Sequence, residues 1–381
     1  MTATAIGALA LAAWAYLLVA RGRFWRAADT DAAELAAPAE WPAVAAVVPA
    51  RDEAEVIAAS IGSLVVQDYP GPFRVILVDD DSSDGTADVA RATAEGLGYA
   101  ERLEIVRSLP LPGGWTGKLW AMAQGAAEAG TPKYLLLTDA DIDHAPANVR
   151  RLVARAEAGR LVLTSLMAKL HCATGPERML VPAFVFFFQM LYPFQWAADP
   201  RRKLAAAAGG CMLVERRALE AAGGLKAIRT SIIDDCALAA AMKRQGPIWI
   251  GLTHRARSIR PYVTVAEIGR MISRSAFAQL DYSALVLAAT LAGLGLVFVA
   301  PAALTLFTTG WAQLLGALAW LAMAAAFQPM LRFYRRSPLW GAALPLIASL
   351  YAAFTLRSAL DVWRGRGGLW KGRAQAMARP A

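Results

Sequence analysis

The chain has 381 residues, 57% of them hydrophobic and 18% charged, and a formal net charge of +9. That length holds one large domain or two ordinary ones, and the apolar average is already tilted toward a membrane. The basic excess sits beside apolar runs (Arg21, Arg23, Arg26; Arg332, Arg335, Arg336), which suits anionic lipid headgroups, and no nucleic-acid-binding motif accompanies it. Cys172, Cys211 and Cys236, an odd number without C-x-x-C spacing, argue against a disulfide framework or a zinc site and fit a reducing compartment.

Residues 4 to 20 are apolar, and their positive charges follow in Arg21-Gly22-Arg23-Phe24-Trp25-Arg26. A signal peptide carries its charge before the apolar core, so residues 1 to 26 read as a transmembrane anchor whose basic flank places the following chain in the cytoplasm. A Pro/Ala/Glu-rich linker (27 to 42) leads into alternating elements. These are a strand at 43 to 48, a helix at 52 to 66, a strand at 73 to 78 and a helix at 85 to 94 with Asp84 as its N-cap. A strand at 103 to 106, a helix at 117 to 129, and strands at 133 to 138 and 161 to 166 complete the set. The alternation predicts an α/β fold with a mostly parallel sheet and helices on both faces.

An apolar, aromatic segment at 179 to 203, interrupted by Pro182 and Pro193, suits either a buried core helix or a helix in the membrane interface. Past Asp281 come three long apolar runs, 284 to 308, 311 to 331 and 338 to 356. The first two read as a helical hairpin that turns at Thr308-Thr309-Gly310 and returns to the basic side. A third span would carry the basic tail (361 to 381) outward, against the positive-inside tendency, so the C-terminal spans number two or three.

Two strands end in acids. Val75-Ile76-Leu77-Val78 runs into Asp79-Asp80-Asp81-Ser82-Ser83-Asp84-Gly85, and Tyr134-Leu135-Leu136-Leu137-Thr138 runs into Asp139-Ala140-Asp141. Carboxylates at C-terminal strand ends lie where open α/β sheets bind ligands, and two such ends suit a nucleotide with a divalent metal. A calcium loop is a poor account of the first cluster, because it puts Arg91 where a bidentate Glu belongs. Asp139 and Asp141 would repel a diphosphate without a cation between them, which Mg2+ or Mn2+ supplies. Lys118, near a helix start after Gly113-Gly114, either meets the diphosphate or is a surface lysine. At Asp234-Asp235 one carboxylate can take the proton of an attacking alcohol, and capping of the following helix is the plainer alternative. His171 and His254 have no acid partner at recognisable spacing and read as structural.

Together Val44 to Glu53, the Asp79-Asp80 cluster, Asp139-x-Asp141, Gly113 to Ala121 and Ile232 to Leu238 resemble the family 2 glycosyltransferases. Within them the resemblance is to the membrane-anchored ceramide-glucosyltransferase-like branch and to hopanoid-biosynthesis-associated glycosyltransferases. It implies a GT-A nucleotide-diphospho-sugar transferase fold over residues 43 to 281, followed by C-terminal transmembrane helices within 282 to 360. It implies an inverting enzyme of the inner membrane, with a cytoplasmic catalytic domain, moving a sugar from a UDP-sugar to a hydroxyl of a membrane lipid in hopanoid or related lipid biosynthesis.

The same resemblance assigns nucleotide-sugar binding to Pro49, Ala50, Arg51, Glu53, Asp80, Lys118 and Asp139, with Asp80 reading the uracil N3–H. Metal binding falls to Asp141 with Asp139. Catalysis falls to Asp235 as base, to Asp234 as its orienting neighbour or acceptor ligand, and to Arg274. Asp234 stands where the family usually has Glu. The family's Gln-x-x-Arg-Trp motif appears as Met271-Ile272-Ser273-Arg274-Ser275, so only the arginine is kept, which argues against a processive polysaccharide synthase. Arg274 then either neutralises the leaving diphosphate or anchors the membrane boundary. The alternatives are a polyprenyl-phosphate sugar transferase and a non-catalytic, membrane-anchored nucleotide-binding protein.

Overall fold

The apolar runs that end in acids form adjacent strands of one sheet. In the computed structural model, which describes residues 2–365 and the backbone of Leu369–Trp370 and Arg373–Ala374, these are β1 (Val44–Ala50), β2 (Phe73–Asp79), β3 (Leu103–Arg107) and β4 (Tyr134–Thr138). Beyond Gly365 the basic tail otherwise lies outside the described residues. Four more strands follow: β5 (Ile142–His144), β6 (Leu163–Lys169), β7 (Cys211–Glu215) and β8 (Ile248–Ser258). The sheet order is β3-β2-β1-β4-β7-β6-β8-β5. The β1, β2, β3 and β4 neighbours and the β6/β8 pair are parallel, while β7 runs antiparallel to both β4 and β6, and β5 to β8.

The mostly parallel, helix-flanked sheet read from the sequence is therefore present. It is larger than the pattern indicated, because β5, β7 and β8 carry weak signals. β5 is three residues long, β7 five, and β8 is broken by Gly251 and basic residues.

All seven residues of β1 are buried, as expected for a strand covered on both faces. Its alternate side chains divide between two cores. Val44, Ala46 and Val48 join Ile57, Ile61 and Leu64 of the Ala54–Val65 helix. Ala45 and Val47 join Leu119 and Met122 of the Gly117–Glu128 helix, with Leu238 and Met242 of the Asp234–Lys243 helix. The Gly117–Glu128 helix lies unusually close to the sheet at Gly125, where an added Cβ would stand 2.5 Å from Val47 and 2.8 Å from Val78. Fully buried strands alternating with one-faced helices place the C-terminal strand ends, and their acids, along one edge.

Asp84 does not occupy the N-cap of the next helix. Gly85, at φ 84, takes that position, and the Asp84 carboxylate accepts from Thr86 N at 3.0 Å and from Ala54 N at 2.9 Å. One acid thus serves the starts of two helices. The linker stretch is pinned: Asp31 N donates to Leu252 O at 3.1 Å, and its carboxylate takes Thr253 Oγ1 at 2.7 Å and Arg255 at 2.9 Å.

The chain divides into two compact units. The sheet and its helices make up residues 29–171 and 196–260; residues 2–28, 172–195 and 261–365 make up the other, a helical unit. Among the described residues three helices are long and apolar enough to cross a membrane: Thr2–Val19, Ala284–Phe307 and Gly310–Phe333. The second contains a π-turn at Gly295–Val299, and the carbonyl of Val297 accepts the Trp14 indole N–H at 2.8 Å. The third C-terminal run forms a short turn and then a helix, Leu344–Trp363, which carries the Arg357–Asp361 pair. Helix Gly175–Leu191 takes up most of the aromatic segment, with Phe186 and Phe187 buried against Phe327 and Tyr351 within this unit.

Candidate active site

The loops after β1 and β2 clasp one another. Asp80 N donates to Ala50 O at 2.8 Å, Asp52 N to Ser82 Oγ at 3.0 Å, and Ser83 N to the Asp52 carboxylate at 2.9 Å. Arg51 donates to the Asp80 backbone carbonyl and stands 3.8 Å from its carboxylate, and Asp80 is 1% exposed. Pro49 and Ala50 are buried within β1, so Ala50 contributes its carbonyl to the turn and its side chain to the core. Glu53 is buried at the next turn, its N–H donating to Thr86 Oγ1 at 2.8 Å.

At the end of β4 the two acids take different cations. Lys118 Nζ lies 2.9 Å from Asp139 and 3.2 Å from Asp234. It sits in the first turn of the Gly117–Glu128 helix, whose N-cap Thr116 accepts from Leu119 N. Asp141 accepts from Ser258 Oγ at 3.1 Å and lies 3.3 Å from Arg260 Nε, and the same guanidinium pairs with Glu53. Asp235 accepts from Gly209 N at 3.0 Å and from Cys236 N at 2.7 Å. Lys118 therefore ties the β4 end to the Asp234–Lys243 helix, and Arg260 ties the β4 end to the β1 end.

The electrostatics follow from this crowding. Burial pushes the Asp235 carboxyl up to about 6, aided by Asp234 and opposed by Lys118. Burial raises Asp141 as well, with Asp139 adding to it and Arg260 opposing it. For Lys118 burial acts downward, but Asp139 and Asp234 outweigh it and hold the ammonium charged.

Beneath the site runs a buried polar chain. Asn148 Nδ2 meets His144 Nδ1 at 2.9 Å, His144 Nε2 meets Thr138 Oγ1 at 3.0 Å, and Thr138 Oγ1 donates to Gly210 O at 2.7 Å. Burial pushes His144 down to about 3, so it is neutral at ordinary pH. His254 is near Lys169, at 3.3 Å.

The structure thus joins Lys118, Asp139, Asp234 and Asp235 in one cluster, and Glu53 and Asp141 in another through Arg260. Asp80 and Arg51 form the adjoining turn. Arg274 lies on the Val265–Ala276 helix of the other unit. Sequence reasoning missed Arg260, Ser258, Gly209 and His144. Gly209 had a signal in the Gly209-Gly210 pair ahead of an apolar run: an added Cβ there would stand 3.3 Å from Lys118 Nζ and 3.6 Å from the Asp235 carboxylate.

Among the described residues no three His, Cys, Asp or Glu side chains assemble a ready-made metal cage. Two carboxylates on one turn, each now facing a protein cation, suit instead a hard divalent ion whose shell is completed by phosphate oxygens. The residues fit such an ion.

Residues 45–223 match the family model described as Glycosyl transferase family 2. No curated protein matches the sequence. Among solved structures, a mannosyltransferase from Pyrobaculum calidifontis in complex with GDP-Man and Mn2+ superposes with a TM-score of 0.54 at 20% identity, over 95% of this chain and 99% of that one. Glucosyl-3-phosphoglycerate synthase from Mycobacterium tuberculosis, with Mn2+, UDP and glucosyl-3-phosphoglycerate, gives 0.42 at 19% identity over 63% of this chain and 79% of its own. S. aureus TarS 1–349 with UDP-GlcNAc gives 0.40 at 14% identity over 89% and 98%. The sheet-bearing unit has the GT-A fold, and the chain carries a family 2 glycosyltransferase domain and is a glycosyltransferase.

Proposed function

We propose that this chain is a membrane-bound inverting glycosyltransferase that moves a sugar from a UDP-sugar to a hydroxyl of a membrane lipid, in hopanoid or related lipid biosynthesis. The observation that carries the reading is the meeting of Asp139, Asp234 and Asp235 around Lys118, beside the Asp80 turn. Asp80, with Arg51 and Glu53, holds the uridine end, and Lys118 and Asp139 hold the diphosphate. Asp141, with Asp139, holds Mg2+ or Mn2+, which when bound neutralises the diphosphate as it leaves.

Asp235 takes the proton of the attacking hydroxyl as the oxygen bonds to the anomeric carbon and the diphosphate departs. Its raised value makes it a better base than an ordinary aspartate, and its two backbone donors fix its direction. Asp234, held by Lys118, orients the pair. Arg274 anchors the boundary of the membrane. The three long apolar helices and the basic flanks at Arg21, Arg23, Arg26, Arg332, Arg335 and Arg336 support a multi-pass inner-membrane protein with its catalytic domain in the cytoplasm. The aromatic, apolar helical unit supports a lipid acceptor.

The test is transfer by the purified, detergent-solubilised chain, with UDP-sugars and a lipid extract, with and without Mn2+. Sugar transfer that disappears in Asp141→Ala is expected. Full turnover by Asp141→Ala would remove the metal role, and absence of both UDP binding and turnover in the wild type would remove the reading.

A further inference from the structure

Arg260 grips both halves of the proposed donor site. Its Nη2 pairs with Glu53 after β1, and its Nε stands 3.3 Å from Asp141 after β4. The neighbouring arginines behave differently: Arg255 pairs with Asp31 at 2.9 Å and Arg257 with Asp143 at 3.4 Å, both away from the strand-end acids. The side chain of Arg260 is 29% exposed, whereas those of Asp141 and Glu53 are 18% and 10% exposed, so the acids are the more buried partners.

We infer that Arg260 is a resident cation that the donor and its metal displace. Resting on the UDP-sugar reading of the same site, this gives the arginine two successive partners. Without donor, its single charge balances Asp141 and Glu53, which are too buried to be solvated and too close to be left bare. A divalent ion approaching Asp141 meets that guanidinium at close range and is repelled by it. A diphosphate brings an anion for which a planar, multi-donor guanidinium is the best-matched protein group. When nucleotide and metal arrive together, the metal takes over Asp141 and Arg260 turns to the phosphate oxygens. The exchange makes metal binding depend on nucleotide, so the ion is held firmly only when there is a diphosphate to activate.

The consequence is an effect of opposite sign on two ligands, which loss of structure alone does not produce. In the full-length, solubilised chain, Arg260→Gln should bind Mn2+ alone about tenfold more tightly, read by electron paramagnetic resonance of free Mn2+. The same variant should bind UDP alone about tenfold more weakly by calorimetry. Arg260→Lys, which keeps the charge and loses the fork, should retain weak Mn2+ binding while still losing UDP affinity, and it serves where Arg260→Gln fails to fold. Unchanged Mn2+ affinity in Arg260→Gln, or weakening of both ligands together, overturns the inference. If the wild type binds neither Mn2+ nor UDP, or Asp141→Asn binds Mn2+ as the wild type does, the donor-site reading itself fails.

Discussion

Replacing Lys118 by Met removes the charge that three acids share while keeping most of the side-chain volume. The ammonium lies 2.9 Å from Asp139 and 3.2 Å from Asp234, with Asp235 close enough to raise it further. Breaking one side of a buried ion pair costs about 3–5 kcal/mol. Asp139 is 35% exposed and partly screened by water, whereas Asp234 is 15% exposed, so the expected loss is set mainly by the second contact. A loss of about 2–3 kcal/mol at pH 7.5 follows.

The pH dependence identifies the cause. Lys118 is held above its ordinary 10.5, so its contribution is complete below that value and is lost only as pH rises past the folded one. Toward acid the contribution falls as Asp235 takes up its proton at about 6. Urea unfolding of wild type and variant in detergent, followed by tryptophan fluorescence, should show a narrower gap at pH 5 than at pH 7.5. A gap of the same size at both pH values, or one below about 0.5 kcal/mol at pH 7.5, would refute the shared-charge account.

Two further outcomes concern single protons. Turnover should fall about tenfold per pH unit below the Asp235 value of about 6, because the base must be unprotonated, and Asp235→Asn should lose about 10²–10⁴-fold in kcat; little loss in that variant would point to a phosphate acceptor needing no base. His144, held neutral down to about 3, opposes acidification: its stabilising effect is present above 6.5 and fades as pH falls below that, by roughly 2 kcal/mol between pH 6.5 and 4.5. In His144→Asn that acid-side slope, measured as the change in urea midpoint with pH, should flatten, and an unaltered slope would show that another group carries it.

The acids at the ends of β2 and β4 could be read from the sequence because each interrupts an apolar run abruptly, which a solvated loop rarely does. Lys118 gave a different sign, its place near a helix start just after Gly113-Gly114. Arg260 gave no such sign. It lies in Arg255-Ala256-Arg257-Ser258-Ile259-Arg260, where three arginines look alike, and only pairing of β8 with β5 and β6 sends two toward peripheral acids and one between Glu53 and Asp141. His144 was hidden for a related reason: its partners Asn148 and Thr138 are local, but its burial is tertiary. The aromatic segment left two readings open because a helix apolar enough to lie in an interface is apolar enough to be buried. Its packing on Phe327 and Tyr351 comes from residues more than a hundred positions later in the chain.

The hydrogen bond from Trp14 to Val297 spans 283 positions of sequence. During synthesis the first helix is made long before its acceptor exists, and its indole N–H has no Val297 carbonyl to bond until the hairpin follows. The intervening chain has by then left the ribosome, so the sheet-bearing unit can complete its fold while the helical unit is still half built. The order of assembly is thus written into the chain: first helix first, sheet-bearing fold second, and the closing of the helical unit last.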